Sequence, residues 1–327
     1  MLAHGAGGLF QFRRFTCRRQ EWEIGRDFDF GAYFRNKRSS VRLYGNQAPG
    51  QQLVAQRSLL PYTDVVQLAA DNRPMVSTGA LFVGVDTTSS HKAFTYVVLD
   101  AELNVRAVAE AELEEVVAFL SESESTAVAI NAPSHLNHGV VRRSLKKAGD
   151  ARQLRGVEMR VAEHELRERG IVVSGTGSRE SLCPAWVRIG FSLYSNLAGL
   201  HFKPYPAEDS PRQWLETHPH AAYCALLGRS PLSKSSLEGR LQRELVLFEK
   251  GVRIKDPMIF FEEITRHKLL TGVLPFEMLH PAEQLDALVA AYTAWVSVQR
   301  PSELTRLGSE EEGYVYVPCA ELKEKYQ

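Results

Sequence analysis

The sequence predicts an α/β fold built on one mixed sheet, and three observations carry that prediction. First, three short strand-like runs follow one another with only brief connections: Leu81–Asp86, residues 93–99 and residues 104–109. Adjacent strands so closely joined form an antiparallel meander. Second, the next strand, residues 127–130, is reached through a helix-length segment, and a crossover of that kind places a strand parallel to its neighbour. Third, the stretch from Leu285 to Val298 (LDALVAAYTAWVSV) is apolar nearly all round at helical length. Such a helix has to be buried.

Each element has a local reason. Residues 81–86 (LFVGVD) are a short apolar run that ends on a carboxylate and passes into the polar segment Thr87-Thr88-Ser89-Ser90. Residues 93–99 (AFTYVVL) are rich in aromatic and β-branched side chains, which suit a pleated surface. Between 111 and 120, Leu113, Val116, Val117 and Leu120 recur at helical spacing. The fourth strand ends at Asn131-Ala132-Pro133. A mainly helical insertion spans about 139–205, with a charged helix from Glu158 to Arg169 stopped by Gly170. An amphipathic helix from Pro184 to Leu200 follows, with proline near its start. The fifth strand is Gln213-Trp214-Leu215-Glu216; it leads through Thr217-His218-Pro219 into a helix that Gly228 closes. Ser235-x-x-Glu238 is a capping-box pattern for a helix ending near Gly251. Asp256-Pro257 starts the next helix, ending at Gly272, and Pro281 starts the last. Residues 301–327 read as a tail.

The first 79 residues differ in character. They hold 11 Lys and Arg against 6 Asp and Glu, while the remaining residues hold 28 against 33. They show no sustained period and read as an extension that is weakly ordered; alternatively, translation starts at Met75, just ahead of the first strand. Met1 to Gln20 is Arg-rich and nearly acid-free, as transit peptides are, but lacks their amphipathic period. With zero formal net charge overall, bulk electrostatics makes no case for nucleic acid binding, which would need a local basic face. Cys17, Cys183, Cys224 and Cys319 are scattered and form no C-x-x-C pair, so they read as reduced thiols of a cytoplasmic protein. No apolar run reaches the roughly 18 residues of a membrane span.

Three acids and one amide stand where chemistry is performed in such folds. Asp86 ends the first strand; it is either the cap of the following turn or a metal-binding carboxylate. Glu216 ends the fifth strand; it is either solvated at a loop mouth or, if buried, in need of a partner. Asp286 is the only charge in the apolar stretch from Leu285 to Val298. It either complements the helix dipole or serves a buried site. Asn131 ends the fourth strand and offers a carbonyl oxygen to a hard cation or a water. If these strand ends converge, their negative charges repel unless a divalent cation such as Mg²⁺ or Mn²⁺ neutralises them. Lys234, Arg240 and Arg243 lie on one capped segment, as phosphate contacts or as a salt-bridged face. Arg266 and His267, beside Glu262 and Glu263, allow the same two readings. His218 and His220 have no third ligand at zinc spacing, and Gly175-Thr176-Gly177 indicates only a turn.

Taken together, VGVD at 83–86, INAP at 130–133, LETHP at 215–219, SKSSLEGRLQR at 233–243 and LDALVAAYTAW at 285–295 resemble the domain-of-unknown-function family 429. That family is described as predicted nucleases with a ribonuclease-H-like fold. The resemblance spans roughly 80–300 and implies a five-stranded mixed sheet, three strands antiparallel and two parallel. It makes Asp86 the acid of the first strand, Asp286 the acid of the final helix and Glu216 the acid of a Glu-x-His-Pro signature. The family often has Asp where this chain has Asn131. The implied activity is Mg²⁺- or Mn²⁺-assisted phosphodiester hydrolysis of a nucleic acid, with Asp86, Glu216, Asp286 and Asn131 around the metal and Lys234, Arg240 and Arg243 on the phosphate. Two alternatives stay open. One is a phosphotransferase or ATPase of the actin-like superfamily, for Asp86-Thr87-Thr88-Ser89 resembles the phosphate hairpin of sugar kinases without its Gly. The other is a catalytically impaired binding protein on the same fold.

Overall fold

A computed structural model of the chain describes residues 79–88, 93–149 and 158–327. The amino-terminal extension, Met75 and Cys17 lie outside the described residues. The described strands are β1 (Leu81–Asp86), β2 (Phe94–Leu99), β3 (Val105–Ala111), β4 (Thr126–Asn131), β5 (Lys203–Pro204), β6 (Arg212–Thr217), β7 (Thr305–Ser309) and β8 (Gly313–Val317). The helices are α1 (Leu113–Ser121), α2 (Val140–Lys147), α3 (Val161–Glu168), α4 (Ala185–Gly199), α5 (Pro219–Leu227), α6 (Leu237–Glu249), α7 (Ile259–Glu263), α8 (Arg266–Thr271) and α9 (Ala282–Gln299).

The strands form one eight-stranded mixed sheet in the order β3-β2-β1-β4-β6-β8-β7, with β5 added to the start of β6. Strands β1, β2 and β3 are an antiparallel meander. The α1 crossover brings β4 parallel to β1, and β6 is parallel to β4. The sheet is larger than the five strands expected, because β5, β7 and β8 join it. Residues 301–327, expected as a tail, contain β7 and β8; β8 runs parallel to β6, and β7 pairs with it antiparallel.

Strand alternation divides the core. Phe82, Ala127, Ala129 and Leu215 face α9 together with Tyr223 of α5 and Leu247 of α6. Val83, Val85, Val128 and Ile130 face the other way, onto Val116 and Leu120 of α1 and Leu193 and Leu197 of α4. This is the period of two expected of a sheet covered on both sides. Helix α9 is buried from Leu285 to Ser297, as its all-round apolar character requires. It lies so close to β1 that a Cβ on Gly84 would fall within 3.0 Å of the Ala287 carbonyl oxygen and the Ala291 nitrogen. Glycine is what permits this approach. The helix runs against β1: its later turns reach the end of β2, where Trp295 Nε1 donates to the Ala101 carbonyl at 2.9 Å. Its first turns therefore lie at the carboxyl ends of β1 and β4.

Two local expectations shift. The cap of α6 is Ser236, whose hydroxyl accepts from Gly239 N at 3.0 Å, one residue beyond the predicted Ser235. The helix predicted from Asp256 to Gly272 is broken into α7 and α8, because Ile264 is extended and Thr265 starts a new helix by accepting from Lys268 N. Among the described residues, no helix is long and apolar enough to cross a membrane.

Candidate functional site: a buried acid pair at the strand ends

At the carboxyl ends of β1, β4 and β6 lies a cleft of about 490 Å³. Thr88, Asn131, Glu216, Lys234 and Asp286 are among its lining residues. Parallel strands direct their following loops to this end, where ligands bind in open α/β sheets.

Asp86 is fully buried. Asn131 Nδ2 donates to its Oδ1 at 2.5 Å, and Thr88 Oγ1 donates to its Oδ2 at 2.8 Å. The register Asp86↔Asn131 places both side chains on the same sheet face, so the amide bond follows directly from strand pairing. Thr87 Oγ1 donates to the Asn131 carbonyl at 2.9 Å and ties the two strand ends together. Burial, reinforced by the negative charge of Asp286, pushes the Asp86 carboxyl up to about 6 against the pull of Asn131, Thr88 and Lys234. Asp286, on the first turns of α9, is also raised by burial, although Lys234 and Arg243 oppose the shift. Lys234 Nζ donates to Asp286 Oδ2 at 2.8 Å. Burial works against the Lys234 ammonium, but the adjacent Asp286 carboxylate outweighs it and holds the amine above its ordinary value.

Glu216 goes elsewhere. Its register partner is Ile130, not Asn131, so it projects from the opposite sheet face to Asp86. There it accepts a bidentate pair from Arg160, with Nη1 at 2.9 Å and Nη2 on the other oxygen. It also accepts from Ser134 N at 2.7 Å. Among the described residues, no three Asp, Glu, His or Cys side chains gather as a metal-binding group. The predicted convergence of Asp86, Glu216 and Asp286 is therefore corrected to an Asp86–Asp286 pair, because strand parity sends Glu216 to Arg160.

Arg160 is the residue that the sequence reading missed. It is buried at 1% exposure. Besides Glu216 it pairs with Glu163 at 2.9 Å and donates to the Glu312 carbonyl at 3.1 Å. Burial disfavours its charge, yet the flanking carboxylates more than compensate and hold it firmly protonated. Glu163 in turn accepts from Thr176 N at 2.9 Å and from its hydroxyl. Glu312, in the β7–β8 turn, is fully buried. Its carboxylate accepts from the backbone amides of His138, Val140 and Val161 at 2.8, 3.1 and 2.9 Å. This network ties the turn after β4, which forms one wall of the cleft, to the start of the helical insertion and to the start of α3 within it. Nothing in the spacing of 39 lysines and arginines marks Arg160 as buried.

The two predicted phosphate-binding arginines donate to backbone. Arg240 donates to the carbonyls of His280 and Leu279 at 2.9 and 2.6 Å. Arg243 is 3% exposed and donates to Leu232 and Gly239, both at 2.8 Å. Lys234, nearly half exposed, is ion-paired to Asp286 of the acid pair. His218 is an N-cap, its Nδ1 accepting from Ala221 N at 3.2 Å. Burial and the neighbouring His220 depress its ring to about 4, so it is neutral at physiological pH.

No curated protein and no solved structure matches the chain. The profile of the family described as "Protein of unknown function (DUF429)" matches residues 84–311, which takes in the acid pair, Arg160 with Glu163 and Glu216, and the intervening helices. With the matched region covering well over half of its length, the chain belongs to the DUF429 family.

Proposed function

We propose that the protein is a divalent-cation-dependent hydrolase of phosphodiester bonds, a nuclease on a ribonuclease-H-like fold. The observation that carries this reading is the buried Asp86–Asp286 pair at the strand ends. Two buried carboxylates that repel one another, only one of them ion-paired to Lys234, leave a demand for positive charge. The donor set suits Mg²⁺ or Mn²⁺, which is commonly held by one or two carboxylates and keeps several waters. When bound, such an ion would neutralise charge on phosphate oxygens and make its water a nucleophile near neutral pH. Asp86 and Asp286 would hold the ion, and Asn131 and Thr88 orient Asp86 through the bonds described above. Glu216 acts at one remove: with Arg160 it fixes Ser134 and so shapes the cleft wall. The partial strand order β3-β2-β1-β4-β6, antiparallel then parallel, supports the fold assignment. The free thiols of Cys183, Cys224 and Cys319 suit a reducing compartment such as the cytoplasm.

A second reading, a binding protein that keeps the fold without the chemistry, draws on the Lys234–Asp286 ion pair, which supplies part of the missing positive charge internally. Calorimetric titration with Mn²⁺ separates the two readings. The wild type is expected to bind and Asp86→Ala to lose most of the affinity, with cation-dependent cutting of at least one duplex, single-stranded, hybrid or branched substrate. Equal binding by both proteins would overturn the metal site. Binding without cutting anywhere in that panel would favour the second reading.

A further inference from the structure

Lys234 occupies an unusual position. Its backbone belongs to the segment between α5 and α6, which α6 fixes on both sides. Gln242 Oε1 accepts from Leu232 N at 2.8 Å, and Arg243 Nη1 donates to the Leu232 carbonyl at 2.8 Å. Ser236 Oγ donates to the Ser233 carbonyl at 3.0 Å. Gly239 lets that carbonyl sit against the first turn of α6, where a Cβ would clash with it. The side chain is different: 48% of it is exposed, while its Asp286 partner is 9% exposed. A rigid base thus carries a flexible arm whose charged tip rests on one of the two buried acids.

We propose that Lys234 is a tethered counter-ion, which a divalent cation displaces from Asp286 as it binds. This rests on the metal-dependent reading given above and adds the identity of the group that gives way. Before a cation arrives, the ammonium offsets part of the acid pair's repulsion. A cation entering between Asp86 and Asp286 makes that ammonium a like-charged neighbour, and the four-carbon stem lets it turn outward into the cleft. There it is an unpaired cation beside the place an anionic substrate group would take. Loading the site would therefore free the residue that meets the substrate, so an unloaded site would bind phosphate esters poorly.

The test uses the full chain at pH 8 and low salt, with Mn²⁺ alone as the probe. Lys234→Met is expected to bind Mn²⁺ roughly 3- to 10-fold more tightly than wild type, since a competing charge is gone. Lys234→Arg keeps the charge and is expected to stay near wild type. In parallel, site-resolved amine acetylation of the wild type reads the displacement directly: Lys234 is expected to label faster when Mn²⁺ is present. Unchanged or weaker binding by Lys234→Met overturns the inference, as does tighter binding without faster labelling, which reports only general charge removal. If Asp86→Ala loses Mn²⁺ and Lys234→Met is unaltered, the metal site stands and only the displacement falls. If no variant binds Mn²⁺, both fall.

Discussion

Replacing Asp86 with asparagine should stabilise the protein at neutral and alkaline pH while removing the carboxylate on which the proposed chemistry depends. The side chain is fully buried. Burial and the facing Asp286 raise its carboxyl from 3.8 to about 6. The folded protein therefore holds this proton more tightly than the unfolded chain does. Below pH 3.8 the carboxyl is neutral in both states and costs nothing. As pH rises through about 6, stability is lost because the folded state has to ionise a buried acid. At about 1.4 kcal/mol per pKa unit, the full penalty is about 3 kcal/mol. The amide introduced by this substitution can accept from Asn131 and donate to Thr88, so the local hydrogen bonds survive. Urea denaturation in a metal chelator at pH 8 should show Asp86→Asn more stable by about 1–3 kcal/mol. The advantage should shrink toward zero as pH approaches 4. A variant no more stable than wild type at pH 8, or an advantage independent of pH, would refute the assignment of Asp86 as a strained buried acid.

Two further perturbations test the frame around that acid. Gly84→Ala sets a Cβ against the backbone of α9 at Ala287 and Ala291, and neither can yield without moving the helix that carries Asp286. It should cost about 3 kcal/mol or more, lowering the melting temperature by at least about 6 °C; a shift under about 2 °C would mean α9 is not pressed onto β1 as described. Arg160→Met strands the buried carboxylates of Glu163 and Glu216 and should cost about 3–5 kcal/mol. Adding Glu163→Gln and Glu216→Gln should recover part of that loss, and an Arg160→Met protein with an unchanged denaturation midpoint would show the network to be dispensable.

The parts of the fold legible in the sequence are those governed by local pattern. Strands β1, β2 and β4, the α1 crossover and the buried α9 follow from alternation, apolar runs and breaker residues, and each lies within one or two residues of its predicted place. Asp286 was recognisable because a single charge in the apolar stretch Leu285 to Val298 has to be accounted for. Glu216 was recognisable as a buried acid but not as a member of a different cluster. Its separation from Asp86 depends on register, which sets Ile130 rather than Asn131 beside it, and a one-residue slip would have reversed its face. The β8 run Gly313-Tyr314-Val315-Tyr316-Val317 carried a strand signature after an acidic turn, and only its late position made it read as tail. Arg160 had no local signal at all, because its burial is decided by Glu163, Glu216 and Glu312 together.

The Glu312 turn has a consequence for how the molecule is made. Its carbonyl is bound by a side chain 152 residues earlier, and its carboxylate collects amides from the start of the insertion and from the start of α3. A ribosome adding about 5–20 residues per second needs roughly 8–30 s to pass from Arg160 to Glu312. Through that interval Arg160 and its carboxylates exist without their final anchor. The cleft wall they shape is thus closed by a hairpin that emerges after every strand and helix carrying the acids, so a nascent chain can hold Asp86 and Arg160 well before it holds a finished site.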